Sequence, residues 1–285
     1  MKLILSRKGF DSSAGGCPNP VFPDGRMLAL PIPDAQSPIR YSQIQHQGQS
    51  IGPLVSQLTG IPSFSRRGAH LDPDLIASAY PREPGWRPVL GQHSSAQAHL
   101  ANHGVGVGDL FLFFALFRPA EKQRGRWRFV PGSQAFHAIW GWLQVAEVWP
   151  LCKAEPRPSW VAYHPHCHGD RSARNSLYVG RERLVLPGLQ ESLAGAGVVE
   201  RLAALHRLTA PGAGRVTDWR LPAVFFPGPG KSPLSYHHNP GRWQVDNEAA
   251  GFCRLRSAAR GQEFVLDLGQ YPGVCEWLLT PGLLS

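Results

Sequence analysis

Two long apolar segments in the middle of the chain constrain its fold most strongly. Residues 109–117 read DLFLFFALF and residues 136–149 read FHAIWGWLQVAEVW, and both have the aromatic-rich composition that favours strands. We expect them to be adjacent antiparallel strands in the core of the protein. The chain has 285 residues, which is enough to bury a full core without disulfides or structural metals. We predict one domain over residues 1–285, with a weak boundary near residue 150 as the alternative.

Weaker patterns supply the remaining elements. Residues 2–5 and 27–32 predict strands, and residues 264–268 predict another strand late in the chain. Ser94–Asn102 predicts a helix because a serine can cap its start, and residues 192–208 predict a second helix with leucines on one side. These elements indicate an α+β fold, with a mixed, mostly antiparallel sheet, flanking helices and long Pro/Gly-rich loops.

The charge of the chain favours anionic partners. Lys and Arg number 29 and Asp and Glu number 20, which gives a formal net charge of +9 at pH 7. The excess is spread over both halves of the chain, so a nucleic-acid or nucleotide partner and a mildly basic enzyme both remain open. The longest apolar run, residues 110–117, is far shorter than the ~18 residues of a membrane span, so we expect no membrane association. Five cysteines without a C-x-x-C pair favour a reducing, cytoplasmic location.

Several familiar catalytic motifs do not fit the chain. Residues 228–232 read GPGKS, like the end of a phosphate-binding P-loop, but position 225 is Phe instead of Gly and Pro233 obstructs the helix that must follow. The chain contains no G-x-S-x-G, H-E-x-x-H or P-C-x-x-C sequence. Standard serine hydrolases, zinc proteases and base deaminases are therefore not supported.

A polar, glycine-containing loop follows the first strand. It carries the hydroxyls of Ser6 and Ser12, the cations of Arg7 and Lys8, and the carboxylate of Asp11. Such a loop at the carboxyl end of a strand suits an anion, which it can hold through side chains and backbone N–H groups. The alternative is an ordinary polar turn in which Asp11 bonds its own backbone.

The segment His70-Leu-Asp72-Pro-Asp74 contains the residue types of a metal site. His70 and Asp72 supply two of the three ligands of an iron(II) facial triad if a distal histidine completes it. Asp72 and Asp74 would instead suit Mg²⁺, which prefers oxygen ligands. The structural alternative is a helix start, with Asp72 as the N-cap and Pro73 at the first helical position.

Two further groups of histidines are candidates for binding a metal or for acid–base chemistry. On the predicted helix Ser94–Asn102, Gln97 accompanies His99 and His103, which are four residues apart and share a face. In residues 164–170, three histidines at alternate positions would share one face of a strand and suit a metal. The alternatives are histidines at a helix end and an exposed loop.

Two basic or polar segments are candidates for contacts with a substrate. In residues 124–128, arginines alternate with Gly and Trp, and Arg126 and Trp127 would pair with phosphates and stack on bases. The alternative is a hairpin tip with solvated charges. Residues 260–264 read RGQEF, and their polar groups line a site or solvate the start of a strand.

Six segments also carry a family resemblance: residues 4–13 (ILSRKGFDSS), 23–25 (PDG), 30–33 (LPIP), 70–74 (HLDPD), 108–114 (GDLFLFF) and 260–264 (RGQEF). Read together, they resemble the nucleotide-modification-associated domain 3 family, from the first residues nearly to the last. Members of that family are associated by genomic context with enzymes that modify DNA bases. The resemblance therefore implies a role in nucleic-acid base modification and association with other DNA-modification enzymes.

A weaker resemblance concerns the middle of the chain. Gly108 and Asp109 open one apolar strand, and residues 139–147 form a second. This arrangement is similar to PUA/EVE-type barrels, which hold a flipped or modified base. It implies a non-catalytic reader of modified bases, in which Trp140, Trp142 and residues 124–128 make the contacts.

The favoured hypothesis is an enzyme that modifies DNA or nucleotide bases. Its expected residues are, as catalytic groups, Lys8, Asp11, Ser12 and Asp74; as substrate-binding groups, Ser6, Arg7, Gln97, Arg126 and Trp127; and as metal ligands, His70 and Asp72. The expected cofactor is a divalent metal, iron(II) or Mg²⁺. Besides the reader, an iron(II)-dependent oxygenase acting on a peptide or small molecule is the remaining alternative.

Overall fold

The computed structural model describes residues 1–153, 155–168, 174–246, 251–259 and 261–284. Within these residues the strands are, in chain order, β1 (Lys2–Arg7), β2 (Asn19–Val21), β3 (Ile32–Pro33), β4 (Gln45–His46), β5 (Gln49–Ser50), β6 (Ala69–His70), β7 (Val89–His93), β8 (Leu110–Gln123), β9 (Arg126–Phe129), β10 (Phe136–Pro150), β11 (Asn175–Gly180), β12 (Ala196–Val198), β13 (Asp218–Pro222), β14 (Trp243–Val245), β15 (Phe252–Arg256) and β16 (Glu263–Asp267). The α-helices in the same part of the chain are α1 (Gly52–Thr59), α2 (Ser94–Asn102) and α3 (Pro272–Leu278). Asp170 and Arg260, which belong to candidate segments, lie outside the described residues.

One large mixed sheet organises the fold. Its strands follow the order β16-β1-β8-β10-β11-β7, with β12 paired to β10 and with β2 and β9 paired to β8. The strands β1 and β2 run parallel to β8, and the other pairs are antiparallel. The predicted α+β class and the mostly antiparallel sheet are confirmed.

The strands β8 and β10 are the central pair predicted from their apolar sequences. They are antiparallel, with Phe136 opposite Phe117 and Gln144 opposite Leu110, and their facing side chains are almost wholly buried. The basic link between them folds back as β9 on the end of β8. The implied PUA/EVE-type barrel is wrong, because these strands belong to an open sheet that ends at β16 and β7.

Three local predictions are wrong, each because tertiary pairing outweighs a local pattern. Residues 192–208 form β12 and a short 3₁₀ helix at Ala204–His206. In β12, residue 197 must be Gly because it lies against the ring of Trp142, and a Cβ atom there would be only 2.6 Å from that ring. Residues 27–32 contribute only the start of β3, which pairs with β6. No helix begins at Asp72, because the backbone of Asp74 pairs with that of Val89 instead.

None of the helices in the described residues has the length and apolar character needed to cross a membrane.

The side chains of β1, β8, β10 and β16 form the main core, and a second core lies under the polar loop that follows β1. Phe10 from that loop packs against Tyr41 and Phe64 at ring-centroid distances of 6.1 and 5.9 Å. This contact fixes the loop, and with it Lys8, at the end of β1.

Candidate metal centre

Two strand pairings and one hydrogen bond bring the candidate metal ligands together. Pairing of β3 with β6 sets Ile32 opposite His70, so that Asp34, two residues after Ile32, lies beside the His70 ring. Two residues after His70, the carboxylate of Asp72 accepts a hydrogen bond of 2.5 Å from the backbone N–H of Gly91 in β7. The strand β11 pairs with β7, and the segment that leads into β11 contains His166.

The result is a compact group of His70, Asp72 and His166. One ligand atom from each of the three residues lies within 4.8 Å of the other two. The Nε2 atoms of His70 and His166 lie 4.0 and 3.9 Å from Oδ2 of Asp72. A metal that binds imidazole nitrogens at about 2.1 Å holds neighbouring ligand atoms about 3 Å apart, so the three side chains would close by about 1 Å around an ion.

The hydrogen bonds behind the two imidazoles fix which nitrogen faces Asp72. Asn175 donates through Nδ2 to the His166 carbonyl at 3.0 Å, so its Oδ1 accepts from His166 Nδ1 at 2.8 Å. The Nδ1 of His70 donates in the same way to the Asp34 carboxylate at 2.9 Å. These two bonds leave the Nε2 atom of each imidazole on the side of Asp72. Such support of a metal-binding histidine by a carboxylate or amide oxygen is usual in metal sites.

The Nε2 atoms of two imidazoles and one carboxylate oxygen therefore face one another. Burial lowers the pKa of His166 to about 3, so this imidazole is neutral near pH 7 and carries no proton to share with Asp72. A buried, ionised carboxylate in such a group needs a cation beside it. The residue types of the group are those of a two-histidine, one-carboxylate metal site, and the three residues could hold a metal ion.

Lys8 supplies a cation to the same carboxylate. Its Nζ lies 3.4 Å from Asp72 Oδ2 and 3.4 Å from the Gly91 carbonyl oxygen. Burial alone would raise the pKa of Asp72, but the Lys8 ammonium and nearby histidines outweigh burial and hold that pKa well below its usual range. Asp72 is thus ionised although its side chain is only 1% exposed. His164 Nε2 lies 3.4 Å from Asp72 Oδ1 without forming a hydrogen bond.

The structure places Asp74, a predicted catalytic residue, in a different set of contacts. Both of its carboxylate oxygens accept hydrogen bonds of 2.7 Å from the Arg82 guanidinium, and one also accepts from the hydroxyl of Tyr163. Burial raises the pKa of Asp74, although Arg82 opposes the shift. Asp74 anchors the segment that carries Asp72, and its catalytic role stays a prediction.

Some side chains in and before the polar loop after β1 are buried, and others are exposed. Ser6 is buried and donates to Glu263 Oε1 at 3.0 Å, while Arg7 donates to the Ala259 carbonyl at 3.2 Å. Asp11 accepts three hydrogen bonds of 2.7–2.8 Å from Ser13 and Ala14, which is the self-bonded turn that the sequence left as the alternative. Arg7, Asp11 and the exposed Ser12 line an open cleft of about 620 Å³.

The remaining predicted substrate-binding residues lie elsewhere. Gln97 is buried in α2 and accepts a hydrogen bond of 3.0 Å from the Tyr178 hydroxyl. Arg126 and Trp127 lie in β9, and Trp127 packs against Phe22 with ring centroids 4.9 Å apart. The structure does not bring these three residues to the metal centre, and their substrate-binding role stays a prediction.

The sequence points to some residues of the site and not to others. His166 belongs to the histidine-rich segment 164–170, which the sequence offers as a metal site, but it lies in a 3₁₀ helix, Pro165–Cys167, and not on a strand face. Asp34 and Gly91 matter only through tertiary contacts. The signal that could have pointed to the third ligand is the pair His164 and His166, which are separated by Pro165 and lie far along the chain from His70.

The fold and site define an α+β protein with a His-Asp-His group at the edge of a mixed sheet, in which Asp72 and His166 are buried and His70 is partly exposed. The family model described as nucleotide modification associated domain 3 matches residues 2–267. The chain therefore belongs to this family, as the resemblance of its segments indicated, and has a role in nucleotide modification. No curated protein and no solved structure matches the chain.

Proposed function

We propose that the protein is a metal-dependent enzyme that modifies a base of DNA or of a nucleotide. The convergence of His70, Asp72 and His166, with both imidazole Nε2 atoms facing one carboxylate oxygen, is the observation that carries the proposal. Membership of the nucleotide modification family supports the class of substrate.

Iron(II) suits the site better than Mg²⁺. Mg²⁺ is bound through oxygen atoms and keeps several waters, whereas imidazole ligands suit iron, zinc and other transition metals. His70, Asp72 and His166 are the residues that would hold the ion, and two histidines with one carboxylate are the ligand set of non-haem iron(II) enzymes. Of the three ligands, His70 is the most exposed, at 19% of its side chain, so the ion would be reached from that side.

Lys8 is the proposed catalytic group next to the metal. Its Nζ is within 3.4 Å of Asp72 Oδ2, and its side chain is 11% exposed, so it touches both the carboxylate and solvent. When an ion takes over the charge of Asp72, the ammonium becomes available to a substrate anion or to a developing negative charge.

The alternative of a base reader depends on tryptophans that the structure buries. The Trp140 indole N–H donates to the Lys8 carbonyl at 3.0 Å and the Trp142 indole N–H donates to the Ala194 carbonyl at 3.0 Å. Their residues are 8% and 4% exposed, which leaves little of either ring open for stacking on a base. The structure therefore supports the metal centre more than a reader built on these rings.

Metal content tests the first half of the proposal. The protein is purified without chelator, supplied anaerobically with iron(II), desalted and analysed by inductively coupled plasma mass spectrometry. We expect about one iron per chain in the natural protein and a loss of at least tenfold in Asp72→Asn and His166→Gln. The controls are Asp24→Asn and His238→Gln, which change exposed residues. Equal metal in Asp72→Asn and the natural protein would contradict the site.

Nucleoside analysis tests the second half. DNA and the nucleotide pool from cells that express the natural protein, Asp72→Asn or Asp24→Asn are digested and compared by mass spectrometry. We expect a modified nucleoside with the natural protein and Asp24→Asn, and its absence with Asp72→Asn. The same nucleosides in all three samples would contradict base modification at this centre.

A further inference from the structure

The small sheet formed by β13, β15 and β14 has one buried face and one exposed face. Side chains alternate along its central strand β15: Cys253 and Leu255 are buried, whereas Phe252, Arg254 and Arg256 are exposed. Because successive side chains of a strand point to opposite faces of a sheet, the three exposed residues share one face. This outer face therefore presents cationic side chains to solvent.

Arginines from neighbouring strands meet on the outer face. Antiparallel pairing sets Arg220 of β13 directly opposite Arg254 of β15. The guanidinium of Arg220 lies over the ring of Phe252, 4.8 Å from its centroid, which holds this charge on the face. Two like charges directly opposite each other destabilise a pair of strands. An anion bound beside both guanidinium groups would relieve this repulsion.

Two carboxylates offset part of the positive charge. The Nε atom of Arg254 is 3.3 Å from Asp246 Oδ1, and that of Arg256 is 3.7 Å from Asp218 Oδ1. The side chains of the two arginines nevertheless stay 44% and 65% exposed. Both are therefore accessible to a ligand from solvent.

A groove of about 390 Å³ runs beside these arginines. Among the described residues that line it, three are arginines, Arg242, Arg254 and Arg256, and one, Asp218, is acidic. Arg242 donates through Nη1 to the Arg256 carbonyl at 2.8 Å, which fixes its guanidinium close to β15. The lining of the groove therefore carries an excess of positive charge.

Small residues form another part of the groove. Residues 210–214, which read APGAG, line it. A Cβ atom at Gly212 or Gly214 would meet nothing within 4 Å, so the space beside this backbone is open. A large ligand can approach there without displacing side chains.

We propose that the groove and the outer face of this sheet bind the phosphate backbone of DNA. The proposal rests on the proposed function and chooses DNA over a free nucleotide as its substrate. Arginines spread over a face and a groove suit a polyanion, whereas a free nucleotide presents its phosphates at one point. Arginine also forms paired hydrogen bonds with phosphate oxygens.

The spacing of the arginines on β15 suits successive phosphates. Arg254 and Arg256 are two residues apart on one strand face, so their Cα atoms are about 6.8 Å apart. This distance is close to the spacing of neighbouring phosphates along a DNA strand. Contacts of this kind hold the backbone and do not read its sequence, so we expect binding to depend little on sequence.

Packed side chains connect the groove to the end of β1. Trp219 of β13 lines the groove, and its ring centroid is 5.0 Å from that of Phe114 in β8. The Phe114 carbonyl accepts a hydrogen bond of 2.9 Å from the backbone N–H of Lys8. DNA held at the groove would therefore have a fixed position relative to Lys8.

The salt dependence of DNA binding tests the proposal in metal-free protein, separately from catalysis. Fluorescence anisotropy measures the affinity for a labelled DNA duplex between about 50 and 200 mM salt. We expect the double variant Arg220→Gln/Arg256→Gln to bind tenfold or more weakly at the lower salt concentration. The slope of log affinity against log salt should fall by about 2, because each phosphate contact contributes about 0.9.

Matched variants show whether the location of the charge matters. Arg66→Gln/Arg183→Gln also removes two exposed arginines and should keep the affinity within twofold and the slope unchanged. Gly214→Glu adds a carboxylate at the groove in open space and should weaken binding. Gly106→Glu, where a Cβ also meets nothing within 4 Å, should not. Circular dichroism checks that each variant is folded.

Three results would overturn the proposal: no binding of DNA by the natural protein, equal weakening in the groove variants and their matched controls, or binding of poly-glutamate as tight as that of DNA. The last result would make the groove a site for an acidic protein. DNA binding that depends on Arg220 and Arg256 in a protein that takes up no metal would support this proposal and contradict the metal centre. Metal uptake with DNA binding that ignores these arginines would contradict this proposal alone.

Discussion

The imidazole of His166 lies directly against the backbone of Gly91. A Cβ atom on residue 91 would be 2.2 Å from His166 Cδ2, so only glycine lets the ring reach its position beside Asp72. Because the backbone N–H of Gly91 also bonds Asp72 Oδ1, one residue positions two of the three proposed metal ligands.

Gly91→Ala should therefore displace His166 and disrupt the metal centre. Forcing a methyl group into this contact typically costs about 1–3 kcal/mol of stability, and we expect iron retention to fall at least tenfold. Chemical denaturation and metal analysis measure the two effects. Gly106→Ala is the matched control, since nothing lies within 4 Å of a Cβ there. Full iron retention in Gly91→Ala would show that His166 is not a ligand.

Asp34→Asn should weaken metal binding without removing a ligand. The carboxylate of Asp34 accepts the Nδ1 proton of His70 at 2.9 Å, and this bond lowers the pKa of Asp34. Loss of such a supporting group typically costs 10–100-fold in metal affinity. Competition of the protein with a coloured chelator measures the affinity. Asp24→Asn should match the natural protein, and an equal affinity for Asp34→Asn would mean that His70 does not bind the ion.

Lys8→Met should make the stability of the protein depend on metal. Without the ammonium, the ionised and buried Asp72 loses its nearest cation, which costs about 3 kcal/mol in a metal-free protein. A divalent ion restores the missing charge, so added metal should raise the melting temperature of Lys8→Met more than that of the natural protein. Lys122→Met, on an exposed part of β8, is the control. An equal rise in all three proteins would contradict binding of the ion at Asp72.

Asp74→Asn distinguishes anchoring from catalysis at Asp74. The change leaves the buried Arg82 guanidinium without a charged partner, and breaking a buried pair typically costs about 3–5 kcal/mol. We expect lower stability, measured by urea denaturation, but iron retention within twofold of the natural protein after correction for the folded fraction. Unchanged stability combined with lost nucleoside modification would instead support the predicted catalytic role.

Glu263 should make the protein less stable as the pH rises. Its pKa is raised from 4.5 to about 7 in the folded protein, so the folded state holds the proton more tightly than the unfolded state. The favourable contribution is complete below about pH 4.5 and is lost as the pH rises through about 7, to an extent on the order of 3 kcal/mol. Glu263→Gln cannot ionise. Its stability relative to the natural protein should therefore increase between pH 5 and pH 8, as measured by urea denaturation at each pH, and a constant difference would contradict a raised pKa.

The parts of the fold that could be predicted are those with a strong local pattern. The strands β8 and β10 carry long apolar runs, and α2 spans Ser94–Asn102 and ends at Asn102 as expected, although its N-cap is His93 and not a serine. The helix expected at Asp72 is wrong because a capping signal contributes only about 1 kcal/mol, less than the pairing of Asp74 with Val89 and the burial of Asp72 together.

The metal centre was predictable only in part, because tertiary packing and not local sequence brings its third ligand into place. His70 and Asp72 are two residues apart, so their spacing pointed to shared ligation, whereas His166 joins them through the packing of β7 against β11. Glu263 belongs to the polar segment 260–264, which the sequence offers as lining a site or as the start of a strand, and it is the first residue of β16. Only its burial beside Gln92 makes it unusual.

The register between β7 and β11 has a consequence for how the protein can be altered. The pairing sets Leu177 opposite Gly91 and Asn175 opposite His93, and Asn175 in turn holds His166. Sliding one strand by a single residue would turn its side chains to the other face of the sheet and carry the imidazole away from its carboxylate. An insertion or deletion in either strand should therefore abolish metal binding at this group even when the chain still folds. Length changes in the basic turn before β9 should leave metal binding unchanged.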